Sequence, residues 1–214
     1  MNPNDSSPSP RPVPRAVVFD LGKVLLDFDY RIAARALAPL SRLDPEEFKR
    51  VVDQSPLLHR YESAEIGTAE FFAEVGRLTG YHGSLSEFRA AFGDIFSEIP
   101  PMVALQRQLR ERGVPTFIFS NTNEIAIGHV RNRFPFFAHF TGYVYSHEVG
   151  CMKPAPKIYE AIETITGLRG TDLLYLDDRA ENIAAGAARG WQTILHHDPA
   201  VTVPSVWESL GVAR

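Results

Sequence analysis

Four stretches of this chain are apolar, β-branched or aromatic without the polar alternation of a half-exposed strand. They are Ala16-Val17-Val18-Phe19, Pro115-Thr116-Phe117-Ile118-Phe119, Leu173-Leu174-Tyr175-Leu176 and Gln192-Thr193-Ile194-Leu195. Runs of this kind suit strands covered on both faces. A weaker one covers Gly142-Tyr143-Val144-Tyr145. Helical patterns lie between them. Pro101 to Arg112 carries Met102, Leu105 and Leu109 on one face and stops at Gly113, while Pro156 sits in the first turn ahead of Ile158, Ile162 and Ile165. Arg179 to Arg189 repeats Ile183, Ala184, Ala187 and Ala188, then ends at Gly190. Strands alternating with helices imply an α/β chain with a parallel sheet wrapped by helices.

The long interval between Asp20 and Pro115 shows no convincing strand, only helix signals. Asp44-Pro45-Glu46-Glu47 offers an N-cap, a first-turn proline and a reaching Glu, and Ser84-Leu85-Ser86-Glu87 is a second capping box. Leu85, Phe88, Phe92, Ile95 and Phe96 mark one helical face, and Phe71, Phe72, Val75 and Leu78 another; their period makes them the core of an inserted helical unit. The predicted fold class is therefore α/β: a Rossmann-like parallel sheet flanked by helices, with an α-helical cap inserted after the first strand. The expected organisation is a disordered leader over 1–14, an α/β core over 15–28 and 98–214, and a cap over 29–97. The leader rests on Pro3, Pro8, Pro10, Pro12 and Pro14 among Asn, Ser and Asp, with little to bury. Ligands of open parallel sheets bind beyond the carboxyl ends of the strands, so the cap is expected to act as a lid over that edge.

Composition removes several functions. A formal net charge of −4 provides no basic surplus for nucleic acid. Cys151 is the only cysteine, which excludes an intrachain disulfide and a Cys/His zinc cluster. No run approaches the ~20 apolar residues of a membrane span. The N-terminus lacks a basic region followed by an apolar one, so no signal peptide is expected and the expected compartment is cytoplasmic. A monomer or a homodimer is expected.

Polar chemistry gathers at the strand ends. The first run ends in Asp20-Leu21-Gly22-Lys23, the second in Ser120-Asn121-Thr122-Asn123, and the fourth segment in Asp177-Asp178-Arg179-Ala180-Glu181-Asn182, with Lys153-Pro154 between them. Singly, each has a plain explanation: a strand end, N-cap residues for a following helix, a solvated loop lysine. Adjacent carboxylates are costly without a cation, however. Carboxylates at two strand ends, a hydroxyl with exposed amides at a third and a nearby lysine together make one concave charged site. Hard oxygen ligands of this kind suit Mg²⁺ with carboxylates, waters and a substrate phosphate. A lysine and a metal would offset phosphoryl charge while Ser120 and backbone N–H groups hold other oxygens.

The segments FDLGKVLLDFD, FIFSNTNE, CMKPAPKIYE and LYLDDRAENI, in this order, resemble the haloacid dehalogenase-like hydrolase superfamily. The likeness is to its subfamily IA, which carries an α-helical cap (C1) after the first strand, and within it to the α-D-glucose-1-phosphate phosphatase-like group. It runs from about Arg15 to the C-terminus. The resemblance implies a Mg²⁺-dependent phosphatase acting on a small phosphorylated metabolite, and it implies roles. Asp20 would be the nucleophile that forms an aspartyl-phosphate, and would bind Mg²⁺ together with the backbone carbonyl of Gly22. Asp178 would be the distal metal ligand, with Asp177 behind it or joined through water. Ser120 and the amide of Asn121 would hold phosphoryl oxygens, and Lys153 would steady both phosphate and nucleophile.

Gly22 departs from the pattern, because most phosphatases of the superfamily carry there a second Asp that works as general acid and base. Such a group is worth about 10²–10⁴-fold in rate. The proton donor is then a bound water, the substrate, or a cap residue, with His59, Glu62, Asp27 and Asp29 as candidates. His196-His197 reads as a solvated turn, and His147-Glu148 lies near the lysine loop. Two other functions compete: a non-enzymatic phosphometabolite sensor, favoured by Gly22, and a metal-independent haloacid dehalogenase, disfavoured by Gly22 and by the Asp177-Asp178 pair.

Overall fold

Every residue of the first strand, β1 (Ala16–Phe19), is completely buried. Val17 and Phe19 enter one apolar cluster, Ala16 and Val18 the other, so period-two geometry divides an unbroken apolar run between two faces. The structure, a computed structural model, describes residues 12–212. The remaining strands are β2 (Leu26–Phe28), β3 (Phe96–Glu98), β4 (Thr116–Ser120), β5 (Gly142–Tyr145), β6 (Leu173–Asp177) and β7 (Gln192–Leu195). Five of them make a parallel sheet in the order β5-β4-β1-β6-β7. The four apolar runs and the weaker fifth are these five strands. Most of the leader expectation falls outside the described residues; of the rest, Pro14 is buried and the Pro12 carbonyl accepts a hydrogen bond from Gln192 Nε2 at 2.7 Å.

Between β2 and β3 the chain forms α1 (Tyr30–Leu37), α2 (Pro45–Val52), α3 (Pro56–Glu62), α4 (Thr68–Thr79) and α5 (Leu85–Gly93). After β3 come α6 (Pro100–Glu111), α7 (Glu124–Arg133), α8 (Ser146–Val149), α9 (Pro156–Thr166), α10 (Ala180–Ala188) and α11 (Pro199–Ser209). Met102, Leu105 and Leu109 of α6, Val130 of α7 and Val206 of α11 cover one face of the sheet. Ile158, Tyr159 and Ile162 of α9 cover the other, with Ile183 and Ala185 of α10. No helix among the described residues is long and apolar enough to cross a membrane.

Helices α1–α5 pack around a third cluster, in which Phe48, Phe71, Phe88, Phe92 and Tyr61 are buried. Two capping boxes start their helices: Asp44 with Glu47 on α2 and Ser84 with Glu87 on α5, each reciprocal. The sequence expectation fails at one stretch: Ile95 and Phe96, expected on a helical face, lie past the end of α5 at Gly93, and Phe96 opens β3. Strands β2 and β3 pair antiparallel, Leu26 opposite Glu98 and Phe28 opposite Phe96, in the interval expected to hold no strand. Three residues are too few for a period to show, so pairing rather than pattern makes them strands. The chain thus leaves and re-enters the sheet domain through adjacent strands.

Candidate active site

Strand order determines which polar residues meet. With β1 between β4 and β6, in the registers Phe19–Ile118 and Phe19–Leu176, the residues that end the three strands share one edge. The Asp20 amide donates to the Leu176 carbonyl at 2.9 Å, continuing the ladder one step past β1 and holding Asp20 beside Asp177. Beyond that edge lies an open cavity of about 1010 Å³. Asp20, Gly22, Ser120, Asn121, Lys153 and Asp178 line it from the sheet side, and Tyr30, Lys49, Leu58, His59 and Glu62 from α1–α3.

Lys153 stands at the centre of the floor, its side chain 1% exposed. Its Nζ lies 3.0 Å from Asp20 Oδ1 and 2.6 Å from Asp177 Oδ2, and donates to the Phe119 carbonyl at 2.9 Å. The Phe119 and Tyr175 rings flank the ammonium at 4.9 and 5.7 Å. Asn121 fixes the loop that carries it: its Nδ2 donates to the Lys153 carbonyl at 3.0 Å, and the Lys153 amide donates to its Oδ1 at 2.7 Å. The Asn121 side chain is therefore engaged, and only its backbone is left for a ligand. Ser120 is buried, its hydroxyl 3.3 Å from the Asn121 carbonyl.

The two adjacent carboxylates differ. Asp177 is wholly buried; Oδ1 accepts from the Arg179 amide at 2.8 Å and from Asn182 Nδ2 at 3.0 Å, and Oδ2 accepts from Lys153 and the Tyr175 hydroxyl. Asp178 is half-buried and lines the cavity. One oxygen each of Asp20, Asp177 and Asp178 lies within 4.8 Å of the others. Such a cluster fits a hard divalent cation, with Asp20 and Asp178 turned to the cavity and Asp177 saturated behind them.

The surroundings of the three carboxyl groups carry the same imbalance. Burial lifts the Asp20 carboxyl to about 7, against the pull of Lys153. Burial and the neighbouring Asp177 raise Asp178 as well. Burial also opposes ionisation of Asp177, but Lys153 and its hydrogen bonds outweigh that and hold it below the usual range. Lys153, although buried, stays firmly protonated between the two acids. One ammonium for three carboxylates leaves negative charge that a bound cation offsets.

Gly22 explains the missing acid. A Cβ there would lie 2.9 Å from Phe28 Cε1, so the Phe28 ring occupies the space of a side chain. The four substitute candidates separate cleanly. Asp27 is held below the usual carboxylate range by its bond to Lys23, and Asp29 caps α1 and is lowered to about 2 by Arg31. His59 is exposed. Glu62 ends α3, is partly buried, and is pushed up by burial to about 7, against the Asn123 hydrogen bond and the charge of Arg179. His196 is buried against Thr202 rather than solvated, and His147 Nδ1 lies 3.1 Å from the Thr122 carbonyl.

A family profile described as haloacid dehalogenase-like hydrolase matches residues 14–190. The chain belongs to the haloacid dehalogenase-like hydrolases. Among curated relatives, D-ribitol-5-phosphate phosphatase of Bacteroides thetaiotaomicron is 24% identical over 185 residues, 83% of this chain and 89% of that one. Acyl-CoA dehydrogenase family member 10 of Mus musculus is 26% identical over 208 residues, 92% of this chain but 19% of the mouse protein. A haloacid dehalogenase-like enzyme of Bacteroides thetaiotaomicron, solved with magnesium and inorganic phosphate, superimposes with a TM-score of 0.74 at 23% identity, covering 85% of this chain and 93% of that one. In this haloacid dehalogenase-like site, sequence reasoning missed Tyr175 and Phe28. Tyr175 lies two residues before Asp177 in β6, hence on the same face, and that spacing was a usable signal. Phe28 gave none, because its proximity to Gly22 arises from the turn between them.

Proposed function

We propose that this hydrolase is a Mg²⁺-dependent phosphatase of small phosphate monoesters, sugar or polyol phosphates among them, working through an aspartyl-phosphate on Asp20. The observation that carries it is the Asp20 carboxylate, held by Lys153 at 3.0 Å and set beside Asp178 on the floor of an open cavity. The Leu21 amide donates to Asp20 Oδ1 at 2.7 Å, so two donors fix that oxygen and leave Oδ2 to attack phosphorus. Asp20, Asp178 and the Gly22 carbonyl would hold Mg²⁺, with Asp177 orienting Lys153 and Asn182 behind them. The ion supplies countercharge to the phosphoryl oxygens. Ser120 and the Asn121 amide bind the phosphoryl oxygens, and residues 29–97 form the cap that meets the rest of the substrate. A cavity wall that carries Lys49, Asp53, Gln54 and Glu46 offers hydrogen bonds in both directions, as hydroxyl-rich substrates require.

The test is phosphate release from a panel of sugar, polyol and aryl phosphates, with Mg²⁺ or with EDTA. Release that needs Mg²⁺ and falls at least about 10³-fold in Asp20→Asn is expected for a lost nucleophile. Binding of phosphate esters without turnover by the unaltered protein would instead favour a sensor.

A further inference from the structure

We propose that Glu62, contributed by the cap, is the general acid and base of this site, protonating the departing alkoxide and then deprotonating the hydrolytic water. The proposal rests on the phosphatase reading and fills the role that Gly22 leaves empty. Three observations carry it.

The first is position. Glu62 lines the same cavity as Asp20, Ser120 and Asp178. Asn123 Nδ2 approaches its Oε1 at 3.5 Å, at the long end of a hydrogen bond, and Asn123 ends the loop that Ser120 begins. Arg179, next to Asp178, acts on Glu62 electrostatically. Glu62 thus touches the loop that follows Ser120 and shares its cavity with Asp178 and Arg179. A leaving group that departs from the strand-end floor toward the cap would pass this part of the wall.

The second is protonation. The Asn123 Oδ1 accepts from the Ala126 amide at 3.0 Å, which fixes its amide and turns Nδ2 to Glu62. With Oε1 accepting, Oε2 is the oxygen left to carry a proton. Glu62 is also the last residue of α3, where the carbonyl end of the helix disfavours an anion. Its elevation to about 7 leaves both forms populated near neutrality, as an acid that must become a base requires. The charged and titratable groups facing it are Arg179 from the core and Tyr30 from α1.

The third is exclusion. Asp27 and Asp29 are ion-paired carboxylates held in the charged form, and the position of Gly22 is filled by Phe28.

The step balances. Asp20 Oδ2 forms a bond to phosphorus as the P–O ester bond breaks, and its electron pair leaves on the alkoxide. The Glu62 proton goes to that oxygen, releasing the alcohol. The Glu62 carboxylate then takes a proton from the water that attacks phosphorus, which expels the Asp20 carboxylate and forms inorganic phosphate.

The experiment measures kcat/KM of Glu62→Gln with Mg²⁺ on p-nitrophenyl, phenyl and glycerol phosphates, in order of rising leaving-group pKa. Because kcat/KM ends at the first irreversible step, it reports leaving-group departure. Expected losses are about 10²–10⁴-fold for glycerol phosphate and under about tenfold for p-nitrophenyl phosphate, steepening the dependence on leaving-group pKa. Equal losses across the three esters, in a variant with an unchanged melting temperature, would overturn the role of Glu62 and leave the phosphatase reading intact. Absence of turnover in the unaltered protein on every ester would take both down.

Discussion

At Glu62 the cavity imposes a cost on the fold as well as offering a proton. Its folded pKa of about 7 exceeds the unfolded value of about 4.3. The folded state therefore binds more protons between these values, and the contribution is most favourable below about pH 4.3 and lost as pH rises through 7. Glu62→Gln removes that dependence. Relative to the unaltered protein, we expect the variant to match it near pH 4 and to gain on the order of 1 kcal/mol by pH 8, allowing for the partial exposure of the side chain. Urea denaturation at the two pH values checks this, and a difference that stays constant with pH would count against an elevated Glu62. The strand-end residues Asp20, Ser120 and Asp177-Asp178, and the loop lysine Lys153, were legible as a polar group from type and placement. The division of labour within the Asp177-Asp178 pair came only from the family resemblance, and the structure adds to it the contacts of Asp177 with Tyr175, Asn182 and Lys153.

At the scale of elements, the short β2–β3 pair does the most with the least sequence. It brings Phe28 against Phe96 and Tyr30 and lays its ring over Gly22. Gly22→Asp alone should be overpacked and lose roughly 1–3 kcal/mol. Gly22→Asp with Phe28→Ala should be more stable than the sum of the single changes, by about 0.5–3 kcal/mol of coupling, because the second substitution makes room for the first. Additive energies in that cycle would show that the ring and the glycine are independent. The sheet strands were readable because their runs are apolar, wholly buried in β1, β4 and β6 and partly covered in the edge strand β7, and the long helices because their apolar faces repeat. Strands of three residues carry no such signature, and their existence depends on a partner distant in sequence.

Across the whole molecule, two apolar clusters sandwich the sheet and a third lies among α1–α5; Phe96 packs against the first and third, and a polar seam joins them as well. That seam is the start of α7. Thr68 donates to Glu124 Oε2, Arg89 pairs with Glu124 Oε1 at 3.0 Å, the Ile125 amide donates to the Tyr61 hydroxyl at 3.4 Å, and Ile125 itself packs into the cap cluster. The helix that follows the Ser120–Asn123 loop is thereby also the platform on which α3, α4 and α5 rest. Glu124→Ala should loosen this docking without unfolding either core. Amide exchange should quicken several-fold in residues 56–93, with little change in β1, β4 and β6 and a melting temperature within a few degrees of the original. Uniform acceleration throughout the chain would show instead that the seam supports global stability.

An ammonium has three protons, and Lys153 places all of them: on Asp20, on Asp177 and on the Phe119 carbonyl. It therefore has no donor to offer an arriving phosphate while these acceptors hold. In the proposed reaction, the bond that Asp20 would form to phosphorus would consume its negative charge and weaken its claim on Lys153 at that moment. The lysine would then turn one N–H toward the phosphoryl oxygens just as charge accumulates there, acting as a countercharge that moves with the reaction rather than a fixed clamp for the substrate.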